Sequence, residues 1–192
     1  MERSIRFTGF GGQGVILMGI VAARAAALYD KPVGKDGKTQ RKSAIQTQSY
    51  GPSARGGHSK CDVKISTTEM HYPFVEIPDY LVVMSQQAYE KYIDEIKPET
   101  KIIIDPDLVS GKPQGHAYYI PATKTADELG TRVVSNVVML GAFREISDIV
   151  TYSALEKAML ESVPKATHDL NKSALALGKK LGLEAIQGKG KD

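Results

Sequence analysis

Cysteine is almost missing from this chain: Cys61 stands alone among 192 residues. One thiol gives no intramolecular disulfide and no four-cysteine site for an iron–sulfur cluster or a structural zinc. Four histidines, His58, His71, His116 and His168, are scattered without ligand spacing, so no metal site is expected. The formal net charge is only +3, too small to imply nucleic-acid binding by itself. No run of eighteen apolar residues is present, and "MERSIRF" enters a strand-like segment without a signal-peptide pattern. These absences lead us to expect a cytoplasmic chain that touches neither membrane nor nucleic acid. Nucleophile-elbow and Walker A sequences are lacking too, as are an acid/base carboxylate pair and the G-D-G of a thiamine pyrophosphate site. By its chemistry the chain is not a complete enzyme.

What is present alternates. "SIRFTGF", "KCDVKIS", "YLVVMS", "KIIID" and "AYYIP" have strand length and composition. The period-two pattern of "KCDVKIS" suits a half-exposed strand, and the continuous apolar runs suit strands covered on both faces. Between them, residues 15–29, 86–97 and "TADELG" have helical periodicity, and three helices follow at 132–146, 153–163 and 168–181. The order predicts an α/β fold with an open, mostly parallel sheet, helices on both faces and a helical C-terminal segment. One domain is expected over 1–183, with a basic, disordered tail at 184–192. Residues 30–43, "DKPVGKDGKTQRKS", interrupt the pattern with five Lys/Arg and read as a mobile basic loop. Helices 15–28 and 133–143 lack a clear polar face. Such helices are buried on several sides, either within the chain or against another polypeptide.

The sharpest local signal is "GFGGQG" at 9–14, where Gly9, Gly11 and Gly14 have G-x-G-x-x-G spacing between strand and helix. Gly9 and Gly11 supply permissive backbone, and Gly14 lets the helix approach the strand. A helix start also presents unpaired N–H groups that favour an anion. A dinucleotide site needs in addition an acid at the end of the second strand, for the ribose. "AIQTQ" ends instead in Ser49-Tyr50-Gly51, so a nicotinamide or flavin site is not expected. The loop "SYGPSARGGHSKC" follows. At the carboxyl ends of the strands it would share a crevice with the turn and bring Arg55 near it. A guanidinium beside a helix start suits a phosphate or carboxylate, although Arg55 equally suits an ion pair or a partner chain. Candidate ligand-binding residues are therefore Gly11, Gly12, Gln13, Gly14, Arg55, Gly56 and Gly57. Asn136, inside an apolar helix, needs a hydrogen-bonding partner; a backbone group is the first expectation and a ligand the second.

"GFGGQGV", "QTQSYGPSARGGHSKCDVKIS", "PDYLVVMSQQAYEKY" and "NVVMLGAF" together resemble the gamma subunit of 2-oxoacid:ferredoxin oxidoreductases, in the family's order from about Ile5 to Leu183. The Gln-Thr-Gln before the loop resembles most the branch acting on 2-oxoglutarate; the pyruvate and 2-oxoisovalerate branches are alternatives. The basic insertion around Gly34–Lys42 and Ser53-Ala54 depart from the family's pattern. The resemblance implies a Rossmann-like domain that holds no dinucleotide and packs beside catalytic alpha and beta chains. Thiamine pyrophosphate and Mg²⁺ would sit on those chains, with iron–sulfur clusters on the beta or a ferredoxin-like delta chain. It implies oxidative decarboxylation of a 2-oxoacid with coenzyme A, giving an acyl-CoA, CO₂ and reduced ferredoxin. On this basis coenzyme A would touch the glycine turn. Two other classes remain: a structural subunit without a ligand, and an NAD(P)-binding oxidoreductase.

Overall fold

The computed structural model describes residues 1–31, 39, 41–50, 57–113 and 115–188. Six strands form one sheet: β1 Glu2–Phe10, β2 Ser43–Tyr50, β3 His58–Ser66, β4 Tyr80–Val83, β5 Lys101–Ile104 and β6 His116–Tyr119. Their order is β2-β3-β1-β4-β5-β6, with β1 in the interior. The pairs β1–β4, β4–β5 and β5–β6 run parallel, whereas β2–β3 and β3–β1 run antiparallel. The sheet is therefore mixed, and "mostly parallel" holds for the half beyond β1. Period-two alternation in β3 marks the antiparallel part, and the short apolar runs of β4 and β5 mark the parallel part.

Alternation along β1 divides the molecule. Ile5 and Phe7 point to one face with Cys61, Val63 and Ile65 of β3, into the main apolar core. Five helices contribute to that core: α1 Val15–Arg24, α3 Ala122–Glu128, α4 Ser135–Ser147, α5 Tyr152–Leu160 and α6 His168–Ile186. Phe143 of α4 meets Phe7 and Tyr80 edge to face, with ring centroids 5.1 and 5.8 Å apart. Every residue of α4 from Ser135 to Phe143 is buried, because α6 lies across its outer side. Gly141, Gly178 and Gly182 permit that contact: a Cβ on Gly178 would run into the Val138 carbonyl. Of the two readings for an all-round apolar helix, burial within the chain is the one α4 follows.

Among the described residues the opposite face carries α2 Gln86–Tyr92, continued by a 3-10 turn at Ile93–Glu95, over Leu81, Val83, Ile102 and Ile104. Beside it, under β1 and β3, the filling is ionic. Arg6, 2% exposed, binds Asp62 through Nε at 2.8 Å and Nη2 at 3.1 Å. It also binds Glu95 at 2.5 Å and the Val75 carbonyl at 2.7 Å, and its guanidinium lies 5.3 Å from the Tyr92 ring centroid. Burial works against the Arg6 charge, but the Asp62 hydrogen bond and the two carboxylates outweigh it and raise its pKa. Strand β3 is thus not half exposed as its pattern suggests: Asp62 is only 4% exposed. Its polar side faces an ion-pair network rather than water.

The expected helix 15–29 divides into α1 and a π-helical turn, Ala25–Tyr29. Asp30 follows, buried, with Lys42 at 2.5 Å and the Thr151 amide at 3.1 Å. This pair joins the two ends of the basic segment, of which residues 32–38 and 40 lie outside the described residues. Helix α6 runs to Ile186, so the expected tail boundary at 184 falls within it, and residues 189–192 lie outside the described residues. No helix among the described residues is long and apolar enough to cross a membrane.

Candidate functional site

The glycine turn sits at the carboxyl end of β1 and leads into α1. Its shape is set by Gln13. The Phe10 amide donates to Gln13 Oε1 at 2.8 Å, and Gln13 Nε2 donates to the Met84 carbonyl at the end of β4, at 2.6 Å. The Gln13 amide closes a tight turn onto the Phe10 carbonyl at 3.2 Å. One side chain therefore ties the turn to two parallel strand ends.

The glycines have different tasks from those expected. Left-handed backbone occurs at Gly12, φ 104°, and Gly14, φ 73°, not at Gly9 or Gly11. Gly9 is needed for space, since a Cβ there would meet Gln13 Oε1 and the Val15 side chain. Gly14 is needed twice over: its φ disfavours a side chain, and a Cβ would collide with the Asn136 amide. Asn136, 4% exposed at the start of α4, donates to the Gly14 carbonyl at 3.4 Å, and its Oδ1 accepts from the Val137 amide at 2.9 Å. Its partner is a backbone group, as expected.

The loop before β3 does reach the turn, by a different route. Strands β2 and β3 are antiparallel neighbours, so their connection returns to the carboxyl end of β1. There the Gly11 amide donates to the Gly57 carbonyl at 3.0 Å. Arg55 and Gly56 lie outside the described residues. Gly11 and Gln13 thus spend their amides inside the protein. The Gly12 and Gly14 amides find no acceptor among the described residues, and the first turn of α1 has free N–H groups by construction. No acidic residue lies in that turn to repel an anion. Beside it, Phe10, Ser85, Gln86, Gln87 and Leu108 line an open cleft of about 280 Å³.

Two basic residues missed by the sequence reading stand at the same end of the sheet. His58 pairs with Phe10 across the β1–β3 ladder, and Lys91 Nζ of α2 lies 2.5 Å from His58 Nε2. Burial, then Lys91 and Lys60, lower the His58 pKa, so the neutral ring accepts from the ammonium at neutral pH. Lys91 has no carboxylate partner among the described residues. Nothing in the local sequence joins these two; strand register does. Cys61 has no such prospect: it is fully buried against Gly19, and burial pushes its thiol up to about 11.

A ribose-binding acid has no position here. The strand beside β1 on one side is antiparallel and brings Gly57 and His58 to the turn; on the other, β4 ends in Val83-Met84-Ser85. Among the described residues, no three His, Cys, Asp or Glu side chains form a group able to hold a metal ion. The arrangement is a nest of backbone donors with basic neighbours. Such donors have the polarity that suits an anion.

Known proteins resemble this chain over nearly its whole length. The 2-oxoglutarate synthase subunit KorC of Methanocaldococcus jannaschii is 46% identical over 189 residues, covering 96% of each chain. Subunits named for ketoisovalerate or pyruvate match at 27–32% identity. Among solved structures, the keto/oxoacid ferredoxin oxidoreductase gamma subunit from Geobacter sulfurreducens matches with TM-score 0.82 at 37% identity, over 96% of this chain and 98% of that one. The 2-oxoglutarate:ferredoxin oxidoreductase from Magnetococcus marinus, with 2-oxoglutarate, coenzyme A and succinyl-CoA bound, matches with TM-score 0.78 at 25% identity, over 94% of this chain and 31% of that one. The model of the pyruvate ferredoxin/flavodoxin oxidoreductase family matches residues 4–181, and the chain belongs to that family.

Proposed function

We propose that this chain is the gamma subunit of a cytoplasmic 2-oxoglutarate:ferredoxin oxidoreductase, and that its glycine turn receives the phosphates of coenzyme A. The observation that carries the first part is the near-full-length likeness to 2-oxoglutarate synthase subunits, well above that to the pyruvate and ketoisovalerate subunits. What supports the second is the turn itself: at the start of α1 the Gly12 and Gly14 amides have no acceptor among the described residues. In sequence Arg55 comes two residues before Gly57, whose carbonyl accepts from the Gly11 amide. Coenzyme A presents a pyrophosphate and a 3′-phosphate, which call for N–H and guanidinium donors and for no ribose acid.

In this reading the chain's own work is to bind and orient. Gln13 fixes the turn to β1 and β4, Asn136 donates to the Gly14 carbonyl, and the Gly57 carbonyl accepts from the Gly11 amide. Thiamine pyrophosphate, Mg²⁺ and iron–sulfur clusters belong to alpha, beta and ferredoxin-like delta partners, where they supply decarboxylation and electron transfer to ferredoxin. A chain with one cysteine does not offer four thiolates to a cluster. The test is purification through a tag on this chain. The assembly should reduce ferredoxin with 2-oxoglutarate and coenzyme A, and the chain alone should not. The isolated chain should show no saturable NADH binding below millimolar concentration. Micromolar NADH binding, about −8 kcal/mol, would overturn the account of the turn.

A further inference from the structure

The connection from β3 to β4, residues 67–79, contains no strand or helix and is longer than the usual link of about 4–6 residues. Its side chains are unusual for a solvent-facing loop. Tyr72, Phe74 and Ile77 are 51%, 56% and 52% exposed. Its backbone is held from inside. Arg6 donates to the Val75 carbonyl at 2.7 Å, Lys64 to the Tyr72 carbonyl at 3.0 Å, and Thr100 to the Pro78 carbonyl at 2.7 Å. Val75 is buried as an anchor, and the Tyr72 and Phe74 rings meet edge to face at 5.6 Å. Such a loop displays apolar groups in a fixed arrangement, so little ordering entropy remains to be lost on docking.

Its charge is specific as well. Glu69 and Glu76 are exposed and have no cationic partner among the described residues, whereas Glu2 and Asp79 nearby are answered by Lys64 and Lys97. The loop is an acidic, aromatic island on a chain of net charge +3. An open cleft of about 300 Å³ beneath it, lined among others by Lys64, Tyr72 and Phe74, has room for a side chain from outside.

We propose that this loop is the face by which the chain docks on the catalytic polypeptide, at an apolar pocket bordered by lysine or arginine. The proposal rests on the gamma-subunit reading. The M. marinus enzyme carries the same module as 31% of a longer chain, so there it has a permanent covalent neighbour. The match covers 96% of the KorC relative, and in the gamma-subunit reading the neighbour is secured through the surface instead. A second copy of this chain is the poorer occupant, because a two-fold contact through this face sets Glu69 and Glu76 against their own equivalents.

The test uses the assembled enzyme, with the catalytic chains immobilised and this chain titrated. Three variants are compared after each is shown to keep the wild-type circular dichroism and melting temperature: Phe74→Ser/Ile77→Ser, Glu76→Lys, and Leu183→Ser/Ile186→Ser on α6. Expected are a weakening of at least thirtyfold for the first and five- to tenfold for the second. The effect of Glu76→Lys should shrink as salt rises through screening. The α6 variant should stay within twofold of wild type. Folded loop variants that bind as wild type would overturn the proposal and leave the subunit reading intact. So would a wild-type dimer that the loop variants dissociate, or an equal loss from the α6 variant. A wild-type chain that does not join the catalytic chains would overturn both.

Discussion

The two faces of the sheet are closed by opposite chemistries, although β1 contributes to both. On one side Ile5 and Phe7 enter a core built with five helices, and on the other Arg6 and Thr8 meet carboxylates, carbonyls and one short helix. On the apolar face α6 covers α4, whose residues Ser135 to Phe143 are all buried. The ionic face is closed by a loop that Arg6 and Lys64 hold through its carbonyls, and that loop exposes three large apolar side chains. The two sides of one sheet are thus closed by different means, an apolar core on one and an ion-pair network under an exposed apolar loop on the other. A polar residue in a central strand is here a fastening for a displayed surface.

The largest test of that division is Arg6→Met. It removes one member of a buried ion pair and leaves Asp62 uncompensated, which typically costs about 3–5 kcal/mol. Lys60 remains 3.2 Å from Asp62, so the lower half of that range is expected in urea unfolding of the isolated chain. Arg6→Met/Asp62→Leu should recover most of the loss, since the two charges left without these partners, Glu95 and Lys60, are partly exposed to water. A single variant as mild as a surface substitution would break the contrast between the faces. On the apolar side, Gly178→Ala forces α6 away from the Val138 carbonyl, and overpacking of this kind costs about 1–3 kcal/mol. A neutral result would mean that the α4–α6 contact yields.

A smaller effect comes from pH. Burial works against the Asp79 charge, but Lys97 and Ser4 outweigh it and lower the pKa. The stabilisation is therefore present above the ordinary carboxylate pKa, about 3.9, and is lost as pH falls through the depressed value. Stability curves of wild type and Asp79→Asn should be separated above about pH 5 and draw together progressively as pH falls below about 3.9. A constant separation would remove Asp79 as the titrating group. Because Asp79 also receives the Ser4 amide at 2.9 Å, it reports on the same end of the loop as Ile77.

Much of this architecture is legible in the residues. The strands "YLVVMS" and "KIIID", the three late helices and the glycine turn fall where periodicity and punctuation put them, because each of those signals is local. The direction of β3 is not local. Its alternation of Lys60, Asp62 and Lys64 with Cys61, Val63 and Ile65 reads as one wet face, and only the register with β1 shows that Arg6 closes it. The turn was legible as a turn, but the left-handed positions fell on Gly12 and Gly14 once Gln13 folded back onto Phe10 and Met84. Lys91 and His58 are brought together by α2 crossing the strand end, a contact that no spacing encodes.

In the proposed function, the glycine turn and Arg55 serve the phosphates of coenzyme A in the assembled enzyme. Steady-state kinetics of an Arg55→Ala complex, gel-filtered and intact, test it most directly, with each substrate varied in turn. Removing one charge-assisted contact costs about 1.5–3 kcal/mol, which predicts a KM for coenzyme A raised roughly tenfold to a hundredfold. The KM for 2-oxoglutarate should stay near the wild-type value, because that pocket would lie in other chains. Unchanged coenzyme A kinetics would contradict the claim and leave the turn a packing device, and loss of assembly would make Arg55 an interface residue instead.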